Sequence, residues 1–170
     1  MPSPDLLDTN YHIETFNPNL HDSAVIAALH LQVRKEQVAS GENTFTDILD
    51  SQLDLRNIGQ FYVQPGGNFF IAQEISTGAI AGFVGIQNNG EGEGTLKRLA
   101  VLSNYRGHRL GSNLVSSVVD WALVSDLRHI VLSTGQREKA RPVYLAAGFE
   151  DYGFNGKNHL MKLVLAQPSK

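Results

Sequence analysis

The segment that most restricts the fold of this chain is Leu96–Ser125, which predicts a strand, a tight turn and a helix in succession. The strand prediction rests on Leu96–Val101, a short run rich in Leu and Val. Gly107 and Gly111 flank the turn, and apolar residues then recur at helical spacing, namely Leu110, Leu114, Val118 and Ala122. Because the first N–H groups of a helix lack partners and carry partial positive charge, this turn predicts a phosphate-binding site.

The composition predicts one globular domain over residues 1–170, with a loose N-terminal segment over residues 1–10. The chain has 170 residues, of which 42% are hydrophobic, and this is enough to bury a core without disulfides or metals. The absence of cysteine excludes disulfides, thiolate metal ligands and a cysteine nucleophile, and no metal site is predicted. A formal net charge of −3 argues against a nucleic-acid partner.

The sequence contains no signal-peptide pattern and no apolar run long enough to span a bilayer. We therefore expect a cytoplasmic location and no membrane partner. This expectation rests on the absence of such segments from the printed sequence.

The first part of the chain predicts a strand followed by two helices. Tyr11–Phe16 alternates as a strand does. His21-Asp22-Ser23 supplies N-cap residues for a helix that continues to about Val38. A shorter helix is predicted over Asp47–Leu55.

Three strands joined by short turns follow. Phe69–Glu74 and Ile80–Gln87 are separated by Thr77-Gly78, which predicts a hairpin. Asn89–Gly94 alternates glycine with two acidic residues before the strand Leu96–Val101. Because this loop is negatively charged and does not open a helix, it is interpreted as a hairpin loop and not as a phosphate cradle.

The last part of the chain predicts a strand over His129–Thr134, a helix over Glu138–Ala147 that ends at Gly148, and closing strands over Phe149–Tyr152 and His159–Leu165. Adjacent strands joined by short turns favour antiparallel pairing, whereas strand, helix and strand in succession favour parallel pairing. The predicted fold class is therefore α+β, with a mixed, largely antiparallel sheet of about seven strands and helices on both faces.

Two segments resemble motifs of the GNAT superfamily of N-acetyltransferases. Arg106-Gly107-His108-Arg109-Leu110-Gly111 is similar to its acetyl-CoA signature, Gln/Arg-x-x-Gly-x-Gly/Ala, although Arg109 stands where the middle glycine is usual. Ala140–Phe149 resembles its Ala-x-x-x-Tyr-x-x-x-Gly-Phe segment. The two motifs lie in the family's order within Thr95–Phe149, and the resemblance implies the three-layer GNAT fold.

The resemblance implies that acetyl-CoA binds as acyl donor at the central turn. Backbone amides of Arg106–Ser112 would hold the pyrophosphate, and main-chain groups of Leu99 and Val101 would bind the pantetheine arm between strands that part at Ala100 and Ser133. The coenzyme-binding residues implied are Leu99, Ala100, Val101, Arg106, Gly107, His108, Arg109, Leu110, Gly111, Ser112 and Arg137. The side chains of Arg106, His108 and Arg109 either add charge to the phosphates or are solvated.

Arg137 stands where relatives often have asparagine. Its guanidinium would bind a coenzyme phosphate or a substrate carboxylate, and the alternative is a solvent-facing arginine at a helix start.

Tyr144 is the catalytic residue that the resemblance implies. In the family, the hydroxyl at this position lies near the coenzyme sulfur and returns a proton to the departing thiolate, which suits a phenol with a pKa of about 10. The alternative is a tyrosine that only packs in the core.

The reaction also needs a base, because an alkylammonium with a pKa of about 10 must lose a proton before its nitrogen can attack. Many relatives have a glutamate at the position of Thr95. Glu93 lies nearby and is the candidate base, against the alternative of a solvated loop carboxylate. A water chain to a backbone carbonyl or to Thr95, or a substrate amine of depressed pKa, would serve equally well, and Glu74 and His159 are further candidates.

The function predicted is an acetyl-CoA-dependent N-acetyltransferase that acts on a primary amine of a small molecule or peptide. Transfer would be direct, within a ternary complex, because the chain has no cysteine to form an acyl-enzyme and no Ser-His-Asp pattern is visible. The alternatives are a catalytically silent acyl-CoA-binding module and a protein that binds the phosphate of another nucleotide. The acceptor, the length of the acyl group and the oligomeric state stay open, and the resemblance allows a homodimer.

Overall fold

The computed structural model describes residues 7–40, 53–135 and 139–166. The strands within these residues are β1 (Tyr11–Thr15), β2 (Asn68–Glu74), β3 (Ile80–Gly90), β4 (Glu93–Val101), β5 (His129–Gly135), β6 (Glu150–Phe154) and β7 (Asn158–Val164). The α-helices are α1 (Ser23–Ala39), α2 (Leu53–Arg56), α3 (Leu110–Leu123) and α4 (Arg141–Ala146). A π-helical turn covers Gly59–Val63, and a 3₁₀ turn covers Ser103–Tyr105.

The seven strands form one sheet in the order β1-β2-β3-β4-β5-β7-β6. Only β4 and β5 pair in parallel, and every other neighbouring pair is antiparallel. The parallel pair is joined through α3, as parallel strands require a crossover connection. The prediction of a mixed, largely antiparallel sheet of about seven strands is confirmed.

Each face of the sheet carries its own hydrophobic core. One core packs α3 and α4 against the sheet through residues such as Leu114, Val118, Ile130 and Tyr144. The other packs α1, α2 and the π-helical turn through residues such as Ile26, Leu55, Tyr62 and Phe83. Successive residues of β2 alternate between the two cores, as the pleat of a strand dictates. The sheet therefore separates an α3 face from an α1 face.

The helix predictions are confirmed in part. Asp22 caps α1, since its side chain accepts a hydrogen bond from the Ala24 N–H at 2.9 Å. The predicted helix over Asp47–Leu55 lies mostly outside the described residues, and its described end belongs to α2. The last helix begins at Arg141, later than predicted, with Pro142 in its first turn, where a missing N–H costs no helical hydrogen bond. None of the described helices has the length and apolar character needed to span a bilayer.

The loop between β3 and β4 is the hairpin turn that the sequence predicts. Gly90 pairs with Glu93 across the turn, and Glu91 and Gly92 lie between them with φ angles of 55° and 82°. Both values are left-handed, which matches the right-handed twist of the flanking strands. The turn opens into β4 and not into a helix.

Candidate active site

β4 and β5 are paired only over the first three residues of each strand. Their pairing runs from Glu93 opposite His129 to Thr95 opposite Val131, while β4 continues to Val101 and β5 to Gly135. The resemblance implies that the strands carrying Ala100 and Ser133 part, and the pairing does end before it reaches either residue. The region beyond the last pair, with Leu99–Val101 on its β4 side, is called here the gap between β4 and β5.

The turn after β4 requires left-handed backbone at two positions. Gly107 has a φ of 87°, and Arg109, the N-cap of α3, has φ and ψ of 59° and 23°. Only glycine adopts this conformation without steric cost, and for other residues the cost is about 1–2 kcal/mol. Arg109 thus has a backbone conformation that a glycine would adopt without this cost.

The turn presents the amides that open α3. The first helical hydrogen bond runs from the Asn113 N–H to the Arg109 carbonyl at 3.1 Å, so the N–H groups of Leu110, Gly111 and Ser112 have no acceptor within the helix. A Cβ at Gly111 would meet nothing nearer than the Cγ2 atoms of Val101 at 3.9 Å and Val143 at 4.0 Å. This helix start therefore faces the end of β4 on one side and α4 on the other.

Two polar side chains of the turn, those of Arg106 and His108, have partners within the protein. The Arg106 Nε donates to the Val101 carbonyl at 3.2 Å, and its Nη2 lies 3.4 Å from a carboxylate oxygen of Glu36. His108 Nδ1 lies 3.0 Å from Asp8 Oδ2, and its ring centroid lies 5.3 Å from that of Tyr11. Phosphate binding by either side chain stays a prediction and would have to compete with these contacts.

Asp8 lies in the segment expected to be loose, yet it anchors that segment to the turn. Its side chain accepts hydrogen bonds from the Asn10 backbone N–H at 2.9 Å and from His108. The Asn10 N–H first, and His108 after it, lower the pKa of this carboxyl below its ordinary value. The described part of residues 1–10 is therefore held against the coenzyme turn that the sequence predicts.

Tyr144 lies in α4, beside the first turn of α3. Only 5% of the residue is exposed, and its ring packs edge to face against Phe149 with centroids 5.9 Å apart. The neighbouring Val143 borders Gly111, which brings α4 close to the predicted pyrophosphate site. The proton-donor role of Tyr144 stays a prediction, and Arg137 lies outside the described residues.

Glu93 belongs to a hydrogen-bonded group on the α1 face of the sheet, which also contains His129, Asn89 and Thr95. Its two carboxylate oxygens lie 2.9 Å from His129 Nε2 and 2.9 Å from Asn89 Nδ2. The same Asn89 amide donates to the Thr95 hydroxyl at 2.6 Å. Hydrogen bonds from His129 first and Asn89 second lower the pKa of Glu93. Glu93 is thus a charged carboxylate with fixed partners near the point where the strands part.

The other carboxylate and histidine suggested as bases have different partners. Glu74 accepts hydrogen bonds from Ser76 at 3.0 Å and Thr77 at 3.3 Å in the turn after β2. His159 packs against the Phe154 ring with centroids 5.3 Å apart, and its Nδ1 lies 3.8 Å from Asp151.

A second group lies on the same α1 face of β4. It is called the Arg98 cluster and consists of Arg98, Asp54 and Tyr62. Arg98 donates through Nε and Nη2 to the two Asp54 oxygens at 2.9 and 2.8 Å, and the Tyr62 hydroxyl donates to Asp54 Oδ2 at 2.6 Å. Burial raises the pKa of Asp54, but the hydrogen bonds from Arg98 and Tyr62 outweigh it and hold that pKa below its ordinary value. Burial raises the pKa of Tyr62, so its hydroxyl stays protonated and donates.

Comparison with known families shows which family the chain belongs to. The family model described as Acetyltransferase (GNAT) family matches residues 31–149, which contain β2 to β5, α3, α4 and the turn. The chain belongs to this family. The GNAT assignment predicted from Arg106–Gly111 and Ala140–Phe149 is thus confirmed.

Solved GNAT structures share the fold at low sequence identity. An acetyltransferase of the GNAT family from Staphylococcus aureus MU50 superposes with a TM-score of 0.78 and 21% identity, over 92% of this chain and 99% of that one. The PaiA N-acetyltransferase of Thermoplasma acidophilum, solved in complex with coenzyme A, has a TM-score of 0.74 and 18% identity, over 91% and 98% of the two chains. These similarities show the GNAT fold.

A curated relative matches over part of the chain. The N-acetylaspartate synthetase of Xenopus tropicalis is 33% identical over 103 residues, which are 59% of this chain and 37% of that protein. The chain therefore spans less than half the length of the curated relative it matches.

Sequence reasoning missed His129 and the Arg98 cluster. Glu93 and His129 are 36 positions apart and meet only through the parallel register of β4 and β5. Arg98 and Asp54 are 44 positions apart, and no spacing pattern relates them. In this GNAT chain, no local sequence signal relates His129 to Glu93 or Asp54 to Arg98.

Proposed function

We propose that this chain is an acetyl-CoA-dependent N-acetyltransferase that transfers the acetyl group directly to a primary amine within a ternary complex. The observation that carries the proposal is the left-handed turn after β4, which aims the first amides of α3 beside the gap between β4 and β5. Membership of the GNAT family supports acyl transfer as the reaction type. The absence of cysteine supports direct transfer over a cysteinyl acyl-enzyme.

The turn suits a pyrophosphate. Its amides carry the partial positive charge of a helix of 14 residues, and the open side at Gly111 lets phosphate oxygens approach the backbone. Leu99–Val101 would bind the pantetheine arm through main-chain groups, because β4 has lost its β5 partner there. Acetyl-CoA would supply an acetyl thioester whose carbonyl carbon the amine nitrogen attacks.

Two groups would handle the protons of this reaction. When the carbon–sulfur bond breaks, Tyr144 would give its hydroxyl proton to the departing thiolate. The Glu93–His129 pair would accept the proton that the amine loses. Because the pair precedes the parting of the strands by two residues, about 7 Å along a strand, a water molecule would connect it with the amine.

The acceptor that we propose to test first is an amine that also carries a carboxylate. Leu96 and Met161 are buried in the α3-face core, so the next residues along their strands, Lys97 and Lys162, point to the α1 face with Glu93. Lys162 is paired with Val131, the residue opposite Thr95, so the lysines flank the parting point. The name of the curated relative, N-acetylaspartate synthetase, supports the same class.

Calorimetry with coenzyme A, followed by a thiol-release assay with acetyl-CoA and a panel of amines, tests the proposal. Tyr144→Phe is expected to lower kcat about 100-fold, since a proton donor contributes at least this much, while the Kd for coenzyme A stays unchanged. Glu93→Gln is expected to lower kcat/KM, because the pair that would accept the amine proton loses its carboxylate. Glu91→Gln, in the same hairpin turn, is the matched control and should change neither.

Two results would contradict the proposal. Tight coenzyme A binding without turnover on any amine, and without an effect of Tyr144→Phe, would indicate a catalytically silent acyl-CoA-binding module. Failure of coenzyme A to raise the Tm would instead indicate a different ligand at the turn.

A further inference from the structure

β4 contains a bulge at Arg98, between the point where β5 leaves and the segment that would contact the coenzyme. Lys97 pairs with Gly85 and Ala100 with Phe83, so β4 has one residue more than β3 in this interval. Arg98 has a φ of 64°, in the left-handed region that is uncommon for any residue other than glycine. Such a conformation persists only where contacts with the surrounding structure stabilise it.

The bulge changes which way the following residues face. Leu96, Leu99 and Val101 all pack toward the α3-face core, whereas an unbroken alternation from Leu96 would send Leu99 and Val101 to the other face. A shift of one residue also exchanges the backbone groups that point toward β3 with those that point away. The bulge therefore decides which N–H and C=O groups of Leu99–Val101 face the gap between β4 and β5.

The Arg98 cluster holds the bulge from behind. Both Asp54 oxygens accept hydrogen bonds from the Arg98 guanidinium, at 2.9 and 2.8 Å. This bidentate contact fixes the orientation of the guanidinium. Asp54 is 8% exposed and Tyr62 is fully buried, so solvent has little access to the carboxylate. The third bond, from the Tyr62 hydroxyl at 2.6 Å, fixes Asp54 in turn.

Tyr62 also lies against the strand opposite the bulge. A Cβ at Gly85 would lie 2.5 Å from Tyr62 Cε1, so the ring occupies the space that any other side chain there would need. Gly85 is the β3 partner of Lys97, the residue before the bulge. The phenol thus contacts β3 with its ring edge and reaches β4 through Asp54 and Arg98.

We propose that Asp54 and Tyr62 are positioning residues, which hold Arg98 in its left-handed conformation and so aim the Leu99–Val101 backbone at the coenzyme arm. The coenzyme part of this inference rests on the proposed function. The side chains of the cluster lie behind β4 and act through its backbone, so their loss should affect coenzyme binding more than proton transfer.

Asp54→Asn and Tyr62→Phe test the inference. Asn keeps the size of Asp54 but removes the charge that holds the guanidinium, and Phe keeps the ring on Gly85 but removes the hydroxyl. Asp54→Asn is expected to raise the Kd for coenzyme A and the KM for acetyl-CoA about 10-fold with a smaller change in kcat, and Tyr62→Phe about 3-fold. Amide hydrogen exchange at Leu99–Val101 should be about 10-fold faster in Asp54→Asn.

Asp151→Asn provides the matched control, because Asp151 also accepts two hydrogen bonds from one arginine, Arg141, away from the bulge. Wild-type exchange rates and Kd values in both cluster variants would overturn the inference. If Asp54→Asn does not fold, Tyr62→Phe decides by the same measurements. If the wild-type chain binds no coenzyme A, the proposed function fails, and the exchange rates alone decide whether Asp54 and Tyr62 hold the bulge.

Discussion

The two faces of the sheet build their parts of the candidate site in different ways. On the coenzyme side, the turn between β4 and α3 offers backbone amides within one short stretch, Arg106–Ser112. On the α1 face, the groups of interest are side chains from distant segments, such as Asp54 with Arg98 and Glu93 with His129. A site made of backbone depends on conformation, and a site made of side chains depends on residue identity.

Arg109 illustrates this difference. It replaces the usual middle glycine of the signature, yet its φ of 59° keeps the left-handed geometry that the turn requires. A glycine could adopt the same backbone conformation, without the steric cost that arginine bears. By contrast, replacing Asp54 with alanine would remove both hydrogen bonds to Arg98.

The largest effect is expected from a negative charge at the backbone site. Gly111→Asp should weaken coenzyme A binding about 100-fold, close to 3 kcal/mol, because its carboxylate would lie where the pyrophosphate is proposed to bind. Its Cβ has room, with the nearest atom at 3.9 Å, and an acidic residue in the first turn favours a helix. Calorimetry should therefore show lost affinity while thermal unfolding shows no lower Tm.

Gly111→Asn is the control for this variant, since it adds nearly the same volume without the charge. It should lose far less affinity than Gly111→Asp. Equal losses in the two variants would contradict the placement of the phosphates at the start of α3.

A smaller effect is expected from the left-handed backbone. Gly107→Ala and Gly78→Ala are matched, because both glycines have left-handed φ angles, 87° and 72°, and a Cβ at either would meet no atom within 4 Å. Each variant should lose about 1 kcal/mol of unfolding free energy in urea. Only Gly107→Ala should also bind coenzyme A about 5-fold more weakly, at about 1 kcal/mol. If the two variants bind coenzyme A with the same affinity, the turn is not part of the coenzyme site.

The last prediction concerns the α1 face, where the groups of interest are side chains. It is an effect of pH on stability through His30, which is buried beside the Arg98 cluster. Burial first, and then Arg98 and Arg34, lower the pKa of His30 to about 3. Because the unfolded residue titrates near a pKa of about 6.5, the unfolded state binds more protons between these values, and stability falls as pH falls.

This linkage predicts a loss of about 1 kcal/mol of unfolding free energy from His30 between pH 7 and pH 5.5. His30→Leu should remove this contribution and flatten the pH dependence by the same amount. Urea unfolding at the two pH values measures it, and an unchanged slope in the variant would contradict a neutral, buried His30.

Much of the fold could be predicted because its signals are local. Periodicity located β1, α1, the three strands β2 to β4 and α3, and the strand–helix–strand order predicted the one parallel pair. The start of α4 was placed too early, since the position of Pro142 in its first turn decides where that helix begins. The signature turn was recognisable because its conformation needs particular residues at fixed spacing.

The sequence by itself determined the order of elements, the GNAT motifs and the turn whose amides the proposed coenzyme would use. Each of these depends on hydrophobic period, turn chemistry or short spacing, and these act within a few residues of each other. Only the tertiary structure decided that Glu93 meets His129 and that Asp54 and Tyr62 hold Arg98 at the bulge. Those contacts follow from strand register and from the packing of α2 on the sheet, which bring together residues that no local pattern connects.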